Sequence, residues 1–143
     1  ETALELGASR VFHADDPDCV AQVRSALPGG VEVAIEAASS VKALELAYRI
    51  TRRGGTTVTC SLPNPGHTFN LQAVNLVAEE RTLKGSYLGS AVPARDIPRF
   101  IELYKAGRLP VDKLITHRLG LGQINEGFDR LAEGMAVRQV ILF

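Results

Sequence analysis

VEVAIEAASSVKALELAYRITRRGGTTVTCSL, residues 31–62, is the stretch on which the fold turns. Val31 to Ala38 is almost continuously apolar, interrupted by Glu32 and Glu36, which is the pattern of a strand buried in a parallel sheet. Ser39 and Ser40 are residues that can cap the helix that follows. From Val41 to Arg53, Leu44, Ala47, Tyr48 and Ile50 recur on one helical face, and Gly54 with Gly55 closes the helix. Thr56 to Leu62 then reads as the next strand, so the stretch is a strand–helix–strand unit.

The same alternation extends in both directions. Upstream, Arg10 to Ala14 reads as a strand, Asp15, Asp16 and Pro17 start a helix carrying Val20, Val23 and Leu27, and Pro28, Gly29 and Gly30 end it. Downstream, Pro63 to Gly66 forms a loop. Leu71, Val74, Val77 and Ala78 mark a helical stretch, and Thr82 to Gly89 reads as a strand. Pro93 to Gly107 is an amphipathic helix with Ile97, Phe100, Ile101 and Tyr104 on its face, and Pro110 opens a different tail. Four cycles of strand and helix predict an open, mainly parallel α/β sheet, whose ligands sit beyond the carboxyl ends of its strands. The tips there are Ala37 to Ser39, Cys60 to Pro63 and Tyr87 to Ser90, small-residue stretches that either admit a flat ligand to the backbone or are ordinary tight turns.

Composition narrows the partners. The chain has 143 residues, 45% hydrophobic and 22% charged, which is a globular balance. Sixteen basic and sixteen acidic side chains cancel, so the electrostatic footprint of a nucleic-acid or anionic-membrane binder is absent and a small molecule is the expected partner. Cys19 and Cys60 stand far apart with no CxxC, which points away from a disulfide framework or structural zinc and toward a reducing, cytoplasmic setting. No apolar run approaches the roughly 20 residues of a membrane span. Glu1 to Leu6 reads as the end of a helix stopped by Gly7, and the chain is expected to be a piece of something longer.

The chemistry-bearing residues are sparse. A GxGxxG turn between strand and helix, which lets a backbone reach a pyrophosphate, is missing; Gly120 to Asn125 lacks the third glycine and is expected to be a turn. His13, His67 and His117 are too scattered for a local metal set and are expected to be structural. Glu36 ends a buried strand beside the candidate cleft, where a carboxylate serves either as a base or as an acceptor of backbone hydrogen bonds, the second being the expected role.

Several stretches together resemble the C-terminal part of the medium-chain, zinc-dependent alcohol dehydrogenases. They are Leu6-Gly7-Ala8, Gly30-Val31-Glu32-Val33-Ala34-Ile35-Glu36, Arg81-Thr82-Leu83-Lys84-Gly85-Ser86, Leu114-Ile115-Thr116-His117 leading into Ile124-Asn125-Glu126-Gly127-Phe128-Asp129, and Arg138-Gln139-Val140-Ile141-Leu142-Phe143. Each is weak alone; their order and spacing carry the likeness across essentially the whole chain. The resemblance implies an incomplete doubly wound, Rossmann-type α/β sheet lacking its first two strands, with a C-terminal helix and strand. Residues 1–107 would be part of an NAD-binding domain and 108–143 a segment of the parent's catalytic domain. The zinc ligands, the glycine turn and the acidic ribose partner would lie upstream, so no catalytic or metal residue is assigned in this chain.

What remains is one side of a cofactor site. By resemblance, Ala37 and Ala38 lie beside the adenosine part, Cys60, Ser86 and Leu88 offer backbone hydrogen bonds near the nicotinamide carboxamide, and Arg138 contacts the pyrophosphate, a task suited to a forked guanidinium. The expected function is the cofactor-binding part of an enzyme moving hydride between an alcohol or aldehyde and NAD, with NADP also possible and zinc in the parent, the chain alone being inactive. A zinc-free quinone reductase of the same superfamily and a non-catalytic oligomerisation module are the alternatives. The family dimer implies a homo-oligomer in which Phe69 to Leu71 and Leu83 to Tyr87 meet their counterparts across a two-fold axis. The two missing strands would sit between Arg10–Ala14 and Val31–Ala38.

Overall fold

The computed structural model describes residues 2–143, so the expectation for Glu1 lies outside the described residues. Helix α1 (Thr2–Glu5) is stopped as anticipated at Gly7, which takes a left-handed φ of 103° while Ala8 N–H returns to Ala3 O at 2.9 Å. The chain forms two compact units, residues 10–91 and residues 2–9 with 92–143.

In the first unit, α2 (Cys19–Ala26) precedes β1 (Val31–Glu36), α3 (Val41–Ile50), β2 (Thr51–Thr59), α4 (Ala73–Ala78) and β3 (Thr82–Gly85). The three strands pair in parallel in the order β1-β2-β3. Each strand return is a helical crossover, the connection that parallel neighbours require. Cys19, Val23, Ala34, Ala47 and Tyr48 form the buried apolar core, and α3 supplies its packing face through Ala47 and Tyr48. Arg24 donates to Arg49 O at 2.8 Å and Arg81 donates to Tyr48 O, so two guanidinium groups occupy the negative end of α3. Arg81 also lies 4.8 Å from the Tyr48 ring centroid, and Phe69 meets that ring edge-on at 6.2 Å.

Several boundaries differ from the sequence reading. Arg10 to Ala14 is not a strand. Extended backbone needs a ladder to take up its N–H and C=O groups, and among the described residues nothing pairs with this stretch or with the outer edge of β1. The edge strand thus stays open, and Val33 and Ile35 on one face of β1 are 54% and 69% exposed. Helix α3 ends at Ile50 rather than Arg53 because Thr51 turns into β2, whose first residues bulge out of register between the pairs Val31↔Thr51 and Val33↔Thr56. Gly55 closes that bulge: a Cβ there would stand 2.9 Å from both Arg52 O and Glu32 O and 2.7 Å from Thr51 Cγ2. Strand β1 ends at Glu36, β2 at Thr59 and β3 at Gly85, earlier than Ala38, Leu62 and Gly89, since each strand leaves the sheet where its partner does.

In the second unit, α5 (Pro93–Lys105) runs as anticipated. Asp96 accepts the Val92 N–H at 2.8 Å and pairs with Arg95 at 2.6 Å, which fastens its first turn. Strands β4 (Ile115–Gly120) and β5 (Arg138–Leu142) pair in parallel across α6 (Ile124–Ala132). The sequence reading had no strand at 115–120. Gly120 to Gln123 is a short 3-10 turn, with Gly120 N–H on Gln123 Oε1 at 3.1 Å, in line with the reading of Gly120 to Asn125 as a turn.

Candidate functional site at the carboxyl edge of the parallel sheet

Register places the three loop tips side by side. Glu36 pairs with Thr59 and Thr59 with Gly85, so Ala37, Cys60 and Ser86 each step off the sheet from adjacent positions on its carboxyl edge. Of the six residues singled out from the sequence, the structure brings Ala37, Ala38, Cys60, Ser86 and Leu88 to this edge. Arg138 belongs to the other unit, at the start of β5.

Ala37 and Ala38 are exposed, and Ser39 follows with a left-handed φ of 53°. Cys60 is half-buried. Its N–H and Sγ both point to Glu36 O, at 3.0 and 3.2 Å. Ser86 N–H donates to Thr59 O at 2.9 Å. The amides of Cys60 and Ser86 are thus spent on continuing the ladder, which leaves their carbonyls as the backbone groups a ligand can use. Leu88, Gly89 and Ser90 form three consecutive left-handed residues, φ 49°, 66° and 56°, closed by a 3.0 Å bond between the Ser86 and Ser90 hydroxyls. Left-handed backbone is costly for leucine. The turn holds Leu88 69% exposed at the sheet edge. A cavity of about 500 Å³ opens beside Ala38, with Asp15, Asp16 and Lys42 among its lining.

Glu36 underlies this edge. It is only 4% exposed, yet its carboxylate accepts Thr59 Oγ1 at 2.6 Å, Ser61 Oγ at 2.8 and 2.7 Å and Ala38 N–H at 2.6 Å. Burial alone would push the carboxyl up. Hydrogen bonds from Thr59, Ser61 and the backbone of Ala38 and Ser40 outweigh it and hold the group below its usual value of 4.5. A carboxylate held ionised with its lone pairs occupied is a poor proton acceptor, so of the two roles read from the sequence the hydrogen-bond acceptor is the one the geometry provides. Ser61 and Thr59 were missed in the sequence. Their only signal is register, which puts both hydroxyls opposite the end of β1.

Arg138 is exposed, and its guanidinium takes no hydrogen bond or ion pair among the described residues, while its carbonyl accepts Thr116 Oγ1 at 3.0 Å. No group of three His, Cys, Asp or Glu side chains stands close enough to hold a metal among the described residues. The described residues therefore do not fit a zinc ion. They do fit one flank of a flat, amide-bearing ligand: the small side chains of Ala37 and Ala38 are exposed, Leu88 stands exposed at the edge, and the amides of Cys60 and Ser86 are already engaged by the sheet.

A family model described as zinc-binding dehydrogenase matches residues 1–106. The NDMA-dependent alcohol dehydrogenase of Amycolatopsis methanolica is 36% identical over 148 residues, covering 99% of this chain and 39% of that protein. Alcohol dehydrogenase 1 of Trifolium repens is 31% identical over 144 residues, covering 99% and 38%. Among solved structures, the crystal structure of benzyl alcohol dehydrogenase from Acinetobacter calcoaceticus superposes with a TM-score of 0.90 at 27% identity, covering 97% of this chain and 38% of that one. The chain thus spans about two-fifths of the length of the relatives it matches.

Proposed function

The chain belongs to the zinc-binding dehydrogenase family, and from that premise we propose that it forms the coenzyme-binding flank of an alcohol dehydrogenase using NAD or NADP. The observation that carries this is the alignment of Ala37, Cys60 and Ser86 along the carboxyl edge of three parallel strands, where open α/β sheets bind nucleotides. The relatives named above are alcohol dehydrogenases, which supports an alcohol or aldehyde as substrate of the complete protein. A structure at 22% identity and TM-score 0.84 was solved bound to NADP, which keeps both dinucleotides in view.

In this reading the backbone of Cys60, Ser86 and Leu88 makes hydrogen bonds to the nicotinamide carboxamide, through the carbonyls at Cys60 and Ser86, and Ala37 with Ala38 leaves room for the adenosine part. Arg138 is assigned to the pyrophosphate on the resemblance of 138–143, its guanidinium having no partner among the described residues and so being available as a charge-assisted donor. The bound dinucleotide supplies the hydride acceptor; this chain's residues bind and orient it. Residues 1–107 are assigned to the coenzyme domain and 108–143 to the catalytic domain of the complete protein. The 143-residue chain alone is proposed to be inactive. No helix among the described residues is long and apolar enough to cross a membrane, and a cytoplasmic homo-oligomer joined through Phe69–Leu71 and Leu83–Tyr87 is proposed.

Calorimetric titration of the complete polypeptide with NAD⁺ and with NADP⁺ tests the reading. Saturable binding of one of them is expected, and no binding of either would overturn it.

A further inference from the structure

We propose that Ser61 and Glu36 act together as a positioning pair that sets the loop after β2 for the dinucleotide; the proposal rests on the coenzyme-binding reading above. Buried carboxylates are ordinarily paired with a cation. Glu36 has no ion pair among the described residues, and its negative charge is stabilised instead by hydrogen-bond donors from two separate segments, the turn after β1 and the end of β2. The Ser61 hydroxyl has one hydrogen, shared between the two carboxylate oxygens at 2.8 and 2.7 Å.

What Ser61 anchors is visible in the loop beyond it. From Leu62 to Thr68 the hydrogen bonds are local, Gly66 N–H to Asn64 Oδ1 at 2.9 Å and His67 N–H to Asn64 O at 2.9 Å, and Leu62 is exposed. Among the described residues, the Ser61 hydroxyl thus makes the last hydrogen bond from this loop to the sheet before Asn70 reaches Glu45. Cys60, whose carbonyl is assigned to the carboxamide, lies between two residues fastened to the same carboxylate, Thr59 and Ser61. With both neighbours fastened, the peptide plane at Cys60 has little freedom to rotate. The carbonyl is then pre-oriented, and binding avoids the entropy of ordering it. Neither residue needs to touch the ligand for this to hold, which makes them positioning residues.

Three variants of the complete polypeptide test the pairing, with NAD⁺ and NADP⁺ as calorimetric probes and the better one used throughout. Ser61→Ala is expected to weaken binding about 10-fold, as for losing a hydrogen bond to a charged group. Ser61→Thr, which keeps the hydroxyl, is expected to restore affinity to within about 3-fold. Glu36→Gln alone weakens binding, and in the Ser61→Ala background it adds less than it does alone, because the Ser61 arm of the coupling is already broken while those of Thr59 and Ala38 remain. Amide exchange at residues 60–68 of the free Ser61→Ala protein should rise, which gives a readout independent of ligand and of global unfolding. A wild-type protein that binds neither dinucleotide overturns the coenzyme reading and this proposal with it. Wild-type binding that Ser61→Ala leaves unchanged, or additive effects of Ser61→Ala and Glu36→Gln, overturns the pairing alone.

Discussion

Replacing Thr51 by valine should destabilise the parallel sheet several times more than the same replacement at Thr57, although both side chains are fully buried, at 0% exposure. Thr51 Oγ1 lies 2.7 Å from Ala47 O and 2.8 Å from Thr57 Oγ1. A carbonyl only accepts, so the single hydroxyl proton of Thr51 goes to Ala47 and Thr57 must be the donor in the pair. Ala47 carries one of the last four carbonyls of α3, which lack intrahelical donors, and the Thr51 N–H is already committed to Tyr48 O. Thr51→Val therefore leaves two groups unpartnered, the Ala47 carbonyl and the Thr57 hydroxyl. At about 1 to 3 kcal/mol each the loss is on the order of 2 to 5 kcal/mol. Thr57→Val leaves Thr51 still bonded to Ala47 and should cost about 1 kcal/mol. The double variant should be no less stable than Thr51→Val, since removing Thr57 removes one of the orphans. Urea unfolding of the complete polypeptide, with amide exchange across β1 and β2, measures all three. Equal losses at the two positions, or strict additivity in the double variant, would refute the donor assignment.

Gly55→Ala should cost about 1 to 3 kcal/mol in the same assay, because its Cβ would meet two backbone oxygens at 2.9 Å that cannot rotate away. Glu36 has a folded-state pKa below its ordinary 4.5, so its contribution to stability is present above that value and is lost as pH falls through the lower folded value. Acid unfolding should therefore steepen below about pH 4.5, and Glu36→Gln should flatten that limb; an unchanged slope would remove Glu36 from the account. In the complete protein, Arg138→Ala should raise the dinucleotide dissociation constant roughly 10-fold or more, and unchanged affinity would leave Arg138 a surface residue.

The α/β character and the parallel pairing were legible at Val31 to Leu62 because burial on both faces of a strand and one-sided burial of a helix impose different periods on apolar residues. The likeness to alcohol dehydrogenases was legible in the order of short stretches from Leu6 to Phe143. The sequence places residues 37, 38, 60, 86 and 88 at the carboxyl ends of the strands, and the register decides that 37, 60 and 86 leave the sheet from adjacent positions.

Periodicity is a local property, and it overran at Arg53, where Thr51 finds a better partner in Ala47 and Thr57 than in another helical turn. It also assigned a strand to Arg10–Ala14, whose residue types suit extended backbone but whose ladder partner is absent among the described residues. Strand formation depends on what lies alongside, and side-by-side neighbours are set by topology. The carboxylate of Glu36 makes the same point at the site. Its residue type and burial could be read from the chain, but its partners Thr59 and Ser61 lie 23 and 25 residues away and meet it only once β1 and β2 adopt one register among those available.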